Sequence, residues 1–141
     1  MQIVEIFVFE KDNQTKLPLY TMSVSAGRPV PAENDVERDI DLNEFLVEHP
    51  AATFFARVRG DSMSKAGITD NDILIVDTSL DPRDGTVVVV AMNGDFTVKI
   101  FREIDGEVYL ESQNDQFLPT NIGDDMELKP IGVVTKVIHS L

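Results

Sequence analysis

The sequence contains no cysteine and no tryptophan, and it has only two histidines among its 141 residues. Without cysteine, the chain can form no disulfide framework, no thiolate metal site and no cysteine nucleophile. The two histidines, His49 and His139, are not flanked by residues that suggest a catalytic triad, so each is interpreted as an ordinary histidine of the surface or core edge. Two histidines without cysteine also disfavour a zinc site, and neither a metal nor a cofactor is expected.

Basic residues are few, with 12 Lys and Arg against 25 Asp and Glu, which gives a formal charge of −13. This charge opposes direct binding to the anionic backbone of DNA and favours protein partners, although it also serves solubility alone. No stretch approaches the roughly 20 apolar residues of a membrane span, and the amino terminus lacks the pattern of a signal peptide. We therefore expect a cytoplasmic protein that binds neither DNA directly nor a membrane.

An amino-terminal arm and one folded domain are predicted from composition. Residues 1–10 alternate weakly and could form a strand, residues 11–15 are polar, and residues 23–34 are rich in Ser, Ala, Gly and Pro. The predicted division is an arm over residues 1–35 and a domain over residues 36–141.

One short helix is predicted at the start of this domain. The segment that begins at Asp41 matches a capping box, in which the Asp41 carboxylate accepts the backbone N–H of Glu44. The helix should run to His49 and stop at Pro50, because the residue before a proline is pushed out of the helical region.

The rest of the chain is rich in β-branched and aromatic runs and predicts strands. Strands near 86–92, 95–103 and 107–112 are separated by Asn93-Gly94 and Asp105-Gly106, two dipeptides that favour the type I′ turn of a tight hairpin. No helix is long enough for a parallel crossover. The predicted fold is therefore mainly β, with an antiparallel, coiled or barrel-like sheet.

A candidate nucleophile follows one of these strands. The strand ends at Gly60, and Ser62 then opens a predicted helical turn, a junction that exposes the hydroxyl. Backbone N–H groups at such a turn lack internal partners and could bind a developing oxyanion. A plain helix cap explains an isolated serine equally simply.

Lys99 is a candidate base because it is the only charge in the run Phe96–Phe101, whose two faces are largely apolar. Apolar surroundings lower the pKa of a lysine below its ordinary value of about 10.4, since the ammonium loses hydration. A neutral amine can take the proton of a serine hydroxyl. A lysine at a sheet edge that reaches water remains the alternative.

These residues resemble the LexA and UmuD group of self-cleaving serine peptidases, which itself resembles the core of bacterial signal peptidases. The matching segments are Gly60–Met63, Gly67–Asp77 and Asp95–Lys99, and the similarity extends over residues 25–137. The resemblance implies a coiled β-sheet domain of the LexA and signal-peptidase type, with an extended amino-terminal arm and one short helix. It also implies Ser62 as nucleophile and Lys99 as general base.

The family cuts a small dipeptide ahead of the peptidase domain, and Ala26-Gly27 stands at that place. Small residues let an extended segment lie close to the serine, and Pro29 keeps the following chain extended. A flexible linker is the alternative interpretation. For cleavage, the backbone N–H groups of Asp61 and Ser62 are the expected oxyanion donors.

Only 26 residues precede Gly27, which is too short for the helix-turn-helix domain of LexA-like repressors, so the chain is similar to UmuD. This resemblance implies a homodimer, cleavage stimulated by RecA filaments on single-stranded DNA during the SOS response, and a processed form that joins a UmuC-type polymerase for translesion synthesis. Two other functions stay open. They are a non-catalytic interaction module of the same fold and a peptidase that acts on other proteins, the latter disfavoured by the absence of a membrane anchor.

Overall fold

A computed structural model describes residues 1–8, 16–20, 36–92, 94–113, 120–121 and 129–141. The chain forms two compact units, one made of Met1–Phe9 with His49–Leu141 and the other of Glu10–Glu48. In chain order the elements are β1 Gln2–Val8, β2 Lys16–Tyr20, β3 Val36–Asp41, α1 Leu42–Leu46, β4 Thr53–Arg59, β5 Ile73–Asp77, β6 Val87–Met92, β7 Asp95–Ile104, β8 Glu107–Glu111, β9 Thr120–Asn121 and β10 Lys129–Ile138. Within these ranges, no helix is long and apolar enough to cross a membrane.

The first unit is built on an eight-stranded sheet in the order β1-β4-β5-β10-β6-β7-β8-β9. Its strand pairings are antiparallel. One further pair, Gln2 with Thr97, joins β1 to β7 and closes six of the strands into a ring. The mainly β, antiparallel and barrel-like prediction is confirmed.

Two apolar clusters form the core of this unit. Runs such as Ile73–Asp77 and Val87–Met92 contribute to them because they bury successive residues rather than alternate ones. The larger cluster consists of Ala56, Val58, Met63, Ile68, Leu74, Val76, Val89, Val98 and Ile100. The smaller consists of Val88, Val90, Phe101, Leu110 and Val133. Burial of β6 and β7 on both faces makes them a rigid support for the side chains that they carry.

Two hairpins join β6, β7 and β8 as predicted. Met92 pairs with Asp95 across the first turn, whose Asn93 lies outside the described residues. In the second turn Asp105 and Gly106 both have positive φ, at 52° and 79°, as a type I′ turn requires. This turn fixes the register of β8 on β7.

The second unit contains the antiparallel pair β2 and β3, followed by α1. The predicted helix is shorter than expected and ends at Leu46 rather than at His49. Its cap also differs, since Asp41 Oδ1 accepts the N–H of Asn43 at 2.9 Å, where a bond to the N–H of Glu44 was predicted.

Pro50 has a different role from the predicted one. It lies beyond the end of α1, in the first unit, and begins a separate 3₁₀ helix over Pro50–Ala52. Proline suits the first turn of a helix because its missing N–H has no partner there in any case. The residue therefore starts an element instead of terminating one.

The amino-terminal strand suggested for residues 1–10 is present as β1, and it pairs with β4. It belongs to the compact unit of the main sheet, whereas the sequence placed residues 1–35 together in an arm. The two compact units change at residues 9–10 and 48–49, and the division at residue 35 stays a prediction. The partners of β1 are distant in sequence, so local composition could not indicate this pairing.

Candidate active site

Ser62 lies in the turn that follows β4 and is almost fully buried, with 4% of its surface exposed. The turn begins at Gly60, whose φ of +112° is open to glycine but strained for other residues. The N–H of Gly60 donates to Asp70 Oδ1 at 2.9 Å, which anchors the turn. A 3₁₀ helix over Ser64–Ala66 starts two residues after Ser62, with Met63 at its N-cap position. Ser62 is therefore not the simple helix cap that was the alternative interpretation.

The next residue, Met63, fixes the turn to the core. Its side chain is fully buried in the larger apolar cluster. The carbonyl of Met63 accepts the N–H groups of Ala66 and Ile68, and the N–H of Ser64 donates to the carbonyl of Asp61. This support holds the Ser62 backbone in one position, which a reacting hydroxyl requires.

Lys99 lies in β7 and is partly buried, between the buried residues Val98 and Ile100. Its Nζ donates a hydrogen bond to Ser112 Oγ at 2.6 Å. Burial lowers the pKa of Lys99 below the ordinary lysine value, because the charged form loses solvation. The side chain is therefore not the fully solvated edge lysine of the alternative interpretation.

Ser112 is a site residue that the sequence analysis missed, although the hairpin register could have identified it. Ile100 pairs with Glu111 in the hairpin that turns at Asp105 and Gly106. One step further along this register, Lys99 faces Ser112. Ser112 is buried, with 5% of its surface exposed, so its hydroxyl is held beside the amine.

The amine of Met1 links the serine and the lysine. It donates to Ser62 Oγ at 2.5 Å. Burial lowers the pKa of this amine most strongly, the positive charge of Lys99 lowers it further, and Asp61 acts in the opposite direction. The two candidate residues therefore lie around the same amine, one in hydrogen-bond contact and the other within electrostatic reach.

The predicted oxyanion donors lie within the described residues, whereas the predicted cleavage site does not. Asp61 and Ser62, whose N–H groups are the predicted oxyanion donors, lie in the turn after Gly60, and their role in binding an oxyanion stays a prediction. Ala26 and Gly27, the predicted cleavage site, lie outside the described residues.

The two histidines pair with buried aspartates instead of contributing to this site. His49 Nδ1 lies 2.6 Å from Asp77 Oδ2, and His139 Nδ1 lies 2.5 Å from Asp72 Oδ1. Both carboxylates are nearly inaccessible, with 3% of Asp77 and 2% of Asp72 exposed. Among the residues that the structure describes, no group of three or more potential ligands is placed to hold a metal ion.

Together, the fold and the site define a class of mainly antiparallel β proteins with a buried serine after one strand and a lysine of lowered pKa in another. The chain matches the profile described as Peptidase S24-like over residues 18–135. It is 36% identical to Protein SamA of Salmonella typhimurium over 126 residues, which cover 89% of this chain and 87% of SamA. Protein ImpA of Salmonella typhimurium is 41% identical over 88 residues, 62% of this chain and 61% of ImpA.

A third relative is the LexA repressor of Shewanella sp., 38% identical over 120 residues that cover 84% of this chain and 57% of the repressor. The chain belongs to the Peptidase S24-like family and is a UmuD-like member of its LexA and UmuD group. Membership of this family indicates in general terms that the chain is a serine peptidase.

Proposed function

We propose that the chain is a serine peptidase that cuts itself once, at Ala26-Gly27, with Ser62 as nucleophile and Lys99 as general base. The observation that carries this proposal is the placement of a buried serine and a partly buried lysine around one amine, that of Met1. Burial of Lys99 favours its neutral form, which is the form that accepts a proton.

In the first half of the reaction, Lys99 Nζ takes the proton of Ser62 while Ser62 Oγ attacks the Ala26 carbonyl carbon. The N–H groups of Asp61 and Ser62 hold the negative oxygen of the tetrahedral intermediate. The bond to Gly27 then breaks and Lys99 returns the proton to the leaving amine. The products are an ester between Ser62 and Ala26 and a new amino terminus at Gly27.

In the second half, a water molecule replaces the leaving segment, and Lys99 takes its proton as the water attacks the ester. Ser62 Oγ leaves with that proton, and the Ala26 carboxylate is released. The hydrogen bond from Lys99 Nζ to Ser112 Oγ keeps the base in place through both halves. Because the substrate is part of the chain, its effective concentration is high and the rate follows how often it enters the site.

We also propose the biological role that the resemblance implies. Cleavage is stimulated by RecA filaments on single-stranded DNA in the cytoplasm during the SOS response. The processed chain, as a homodimer, then joins a UmuC-type polymerase for translesion synthesis. The charge of −13 supports protein partners over direct contact with DNA.

The test is to incubate purified chain with RecA filament and nucleotide and to sequence the amino terminus of any product. A product that starts at Gly27 is expected from the parent, and only intact chain from Ser62→Ala and Lys99→Ala. Ser64→Ala and Lys65→Ala are matched controls, since both positions are exposed and close to the same turn, and they should cleave like the parent.

The same experiment separates the two other functions. Equal behaviour of parent, Ser62→Ala and Lys99→Ala would identify a non-catalytic interaction module. Repeated cutting of an added Ala-Gly peptide, many times per protein molecule, would instead indicate a peptidase that acts on other proteins.

A further inference from the structure

The gap between β4 and β7 in front of Ser62, here called the seam, is filled by β1. Gln2 pairs with Arg59 on one side and with Thr97 on the other. Both flanking strands position a residue of the candidate site, since Ser62 follows the end of β4 and Lys99 lies in β7. A segment paired to both strands therefore lies directly against the candidate nucleophile.

The main chain of Met1 makes the contacts of a bound peptide. Its carbonyl accepts the N–H of Val98 at 3.2 Å and the hydroxyl of Thr97 at 2.6 Å, while its amine donates to Ser62 Oγ at 2.5 Å. Attack requires the same Oγ to lie against a carbonyl carbon of the substrate. Met1 and a scissile bond therefore cannot occupy the seam together.

The side chains of β1 are less covered than those of the core strands, although β1 pairs with β4 over six residues. Four of its apolar side chains are between 40% and 79% exposed, namely Val4, Ile6, Phe7 and Val8. A cavity of about 110 Å³ lies beside β1, lined by Ile3, Ile6, Phe54, Val89, Phe96 and Ile131. Its ion pair, Glu5 with Arg57 at 3.3 Å, is solvent-exposed and contributes little. Incomplete packing of this kind marks segments that open locally at low cost.

An empty seam is nevertheless unfavourable, because the Val98 N–H and the buried Thr97 hydroxyl would lose the Met1 carbonyl. A substrate segment that places a carbonyl at the position of the Met1 carbonyl would restore both hydrogen bonds. Release of β1 and entry of a substrate strand are therefore coupled, which makes occupancy of the seam a two-state equilibrium.

We propose that β1 is a built-in competitor that occupies the seam and holds the peptidase inactive until the substrate segment, Ala26-Gly27 with its neighbours in sequence, replaces it. This inference rests on the proposed function and adds the regulation of the same site. Any partner that draws β1 out of the seam accelerates cleavage by shifting this equilibrium.

The test uses full-length chains that carry Gln2→Pro, with Gln2→Ala as the matched control. Gln2 is exposed, and proline removes the N–H of a residue flanked by strands on both sides, whereas alanine keeps it. If unpairing becomes easier by about 1.4 kcal/mol, spontaneous cleavage rises about tenfold in Gln2→Pro. The Gln2→Ala chain should stay within about twofold of the parent, since surface substitutions of this kind are nearly neutral. Equal rates in the three chains would overturn the inference.

Glu5→Lys is a second variant in case Gln2→Pro does not fold. It places a positive charge beside Arg57 and loosens β1 without touching the core, so a smaller acceleration, about two- to threefold, is expected. A rate equal to that of the parent in a folded Glu5→Lys chain also counts against the inference.

Two measurements that do not depend on cleavage keep this test separate from the proposed function. In a Ser62→Ala background, the Val98 amide should exchange with solvent faster in the Gln2→Pro chain, and a labelled peptide of residues 22–30 should bind it more tightly. If no chain cleaves but Val98 exchange and peptide affinity both change, the proposed function fails. Competition for the seam is then supported on its own. Unchanged Val98 exchange, or equal peptide affinity, overturns the competition itself.

Discussion

Lys99 and Ser112 face each other across the hairpin of β7 and β8, and Lys99 Nζ donates to Ser112 Oγ at 2.6 Å. Both residues are at least partly buried, so the amine has a fixed neighbour and little solvent. A base held in this way is already oriented when proton transfer occurs. The relationship assigns Ser112 a positioning role in the proposed reaction.

Substitution Ser112→Ala should slow self-cleavage by about 10- to 100-fold, because a misplaced base loses rate steeply with small displacements. The midpoint of the pH–rate profile should also fall, since the ammonium form of Lys99 loses an acceptor. The measurement is the cleavage rate between pH 7 and pH 11. Ser112→Thr, which keeps the hydroxyl, should restore much of the rate. A rate loss with an unmoved midpoint would indicate a merely structural role for Ser112.

The pair of Lys99 and Ser112 also shows which part of the candidate site could be predicted from the sequence. The turn at Asp105 and Gly106 was predictable from residue type, and its register alone places residue 112 opposite residue 99. The position of Met1 was not predictable in the same way, because β1 pairs with residues that are at least 46 positions away. Local composition contains no information on such a pairing. Apolar patterning predicted the strands, whereas the closing strand of the ring depends on tertiary contacts.

Self-cleavage should accelerate as the pH rises from neutral, with a midpoint below the ordinary lysine value of about 10.4. Burial lowers the pKa of Lys99, so the neutral form that accepts the serine proton gains population at a lower pH than in a free lysine. The Met1 amine titrates nearby and has its own lowered pKa. NMR of ¹⁵N-labelled lysine in the Ser62→Ala chain therefore identifies which amine sets the profile. A rate that is flat from neutral pH to about pH 10 contradicts a titrating lysine.

Acid should destabilise the chain through Asp77. Burial alone would raise the pKa of this carboxyl, but hydrogen bonds from Ser79 and His49 outweigh burial and lower it below 3.8. A carboxyl with a lowered folded pKa contributes stability above its unfolded value, and this contribution is lost as the pH falls through the folded value. The melting temperature of the parent should therefore fall steeply below about pH 4.

Asp77→Asn tests this linkage. At pH 7 it should cost about 1–3 kcal/mol, because Ser79 and His49 lose a charged acceptor at a buried position. Its melting temperature should depend less on pH in the acid range than that of the parent. Asp81→Asn, at an exposed position, serves as the control and should follow the parent. A parallel decline of the parent and Asp77→Asn with acid would exclude Asp77 as the source.

Met63 should be needed for both stability and cleavage, although it carries no reactive group. It is fully buried in the larger apolar cluster and directly follows Ser62, so its side chain connects the candidate nucleophile to the core. Met63→Ala should lower the free energy of unfolding by about 2–5 kcal/mol, as expected for a cavity at a fully packed site. Urea denaturation measures this loss. Cleavage should also slow under conditions in which the variant is still folded, because the turn that holds Ser62 is no longer fixed.

Met63→Leu separates packing from any specific requirement for sulfur. It conserves volume and should cost less than about 1.5 kcal/mol, with cleavage close to that of the parent. Met92→Ala is the matched control, since Met92 is only partly buried and lies at the end of β6, and its loss should be smaller than that of Met63→Ala. If Met63→Ala were destabilised as expected but cleaved at the parental rate while folded, the turn would not depend on this anchor. Ser62 would then be positioned by the Gly60 to Asp70 hydrogen bond and the 3₁₀ helix alone.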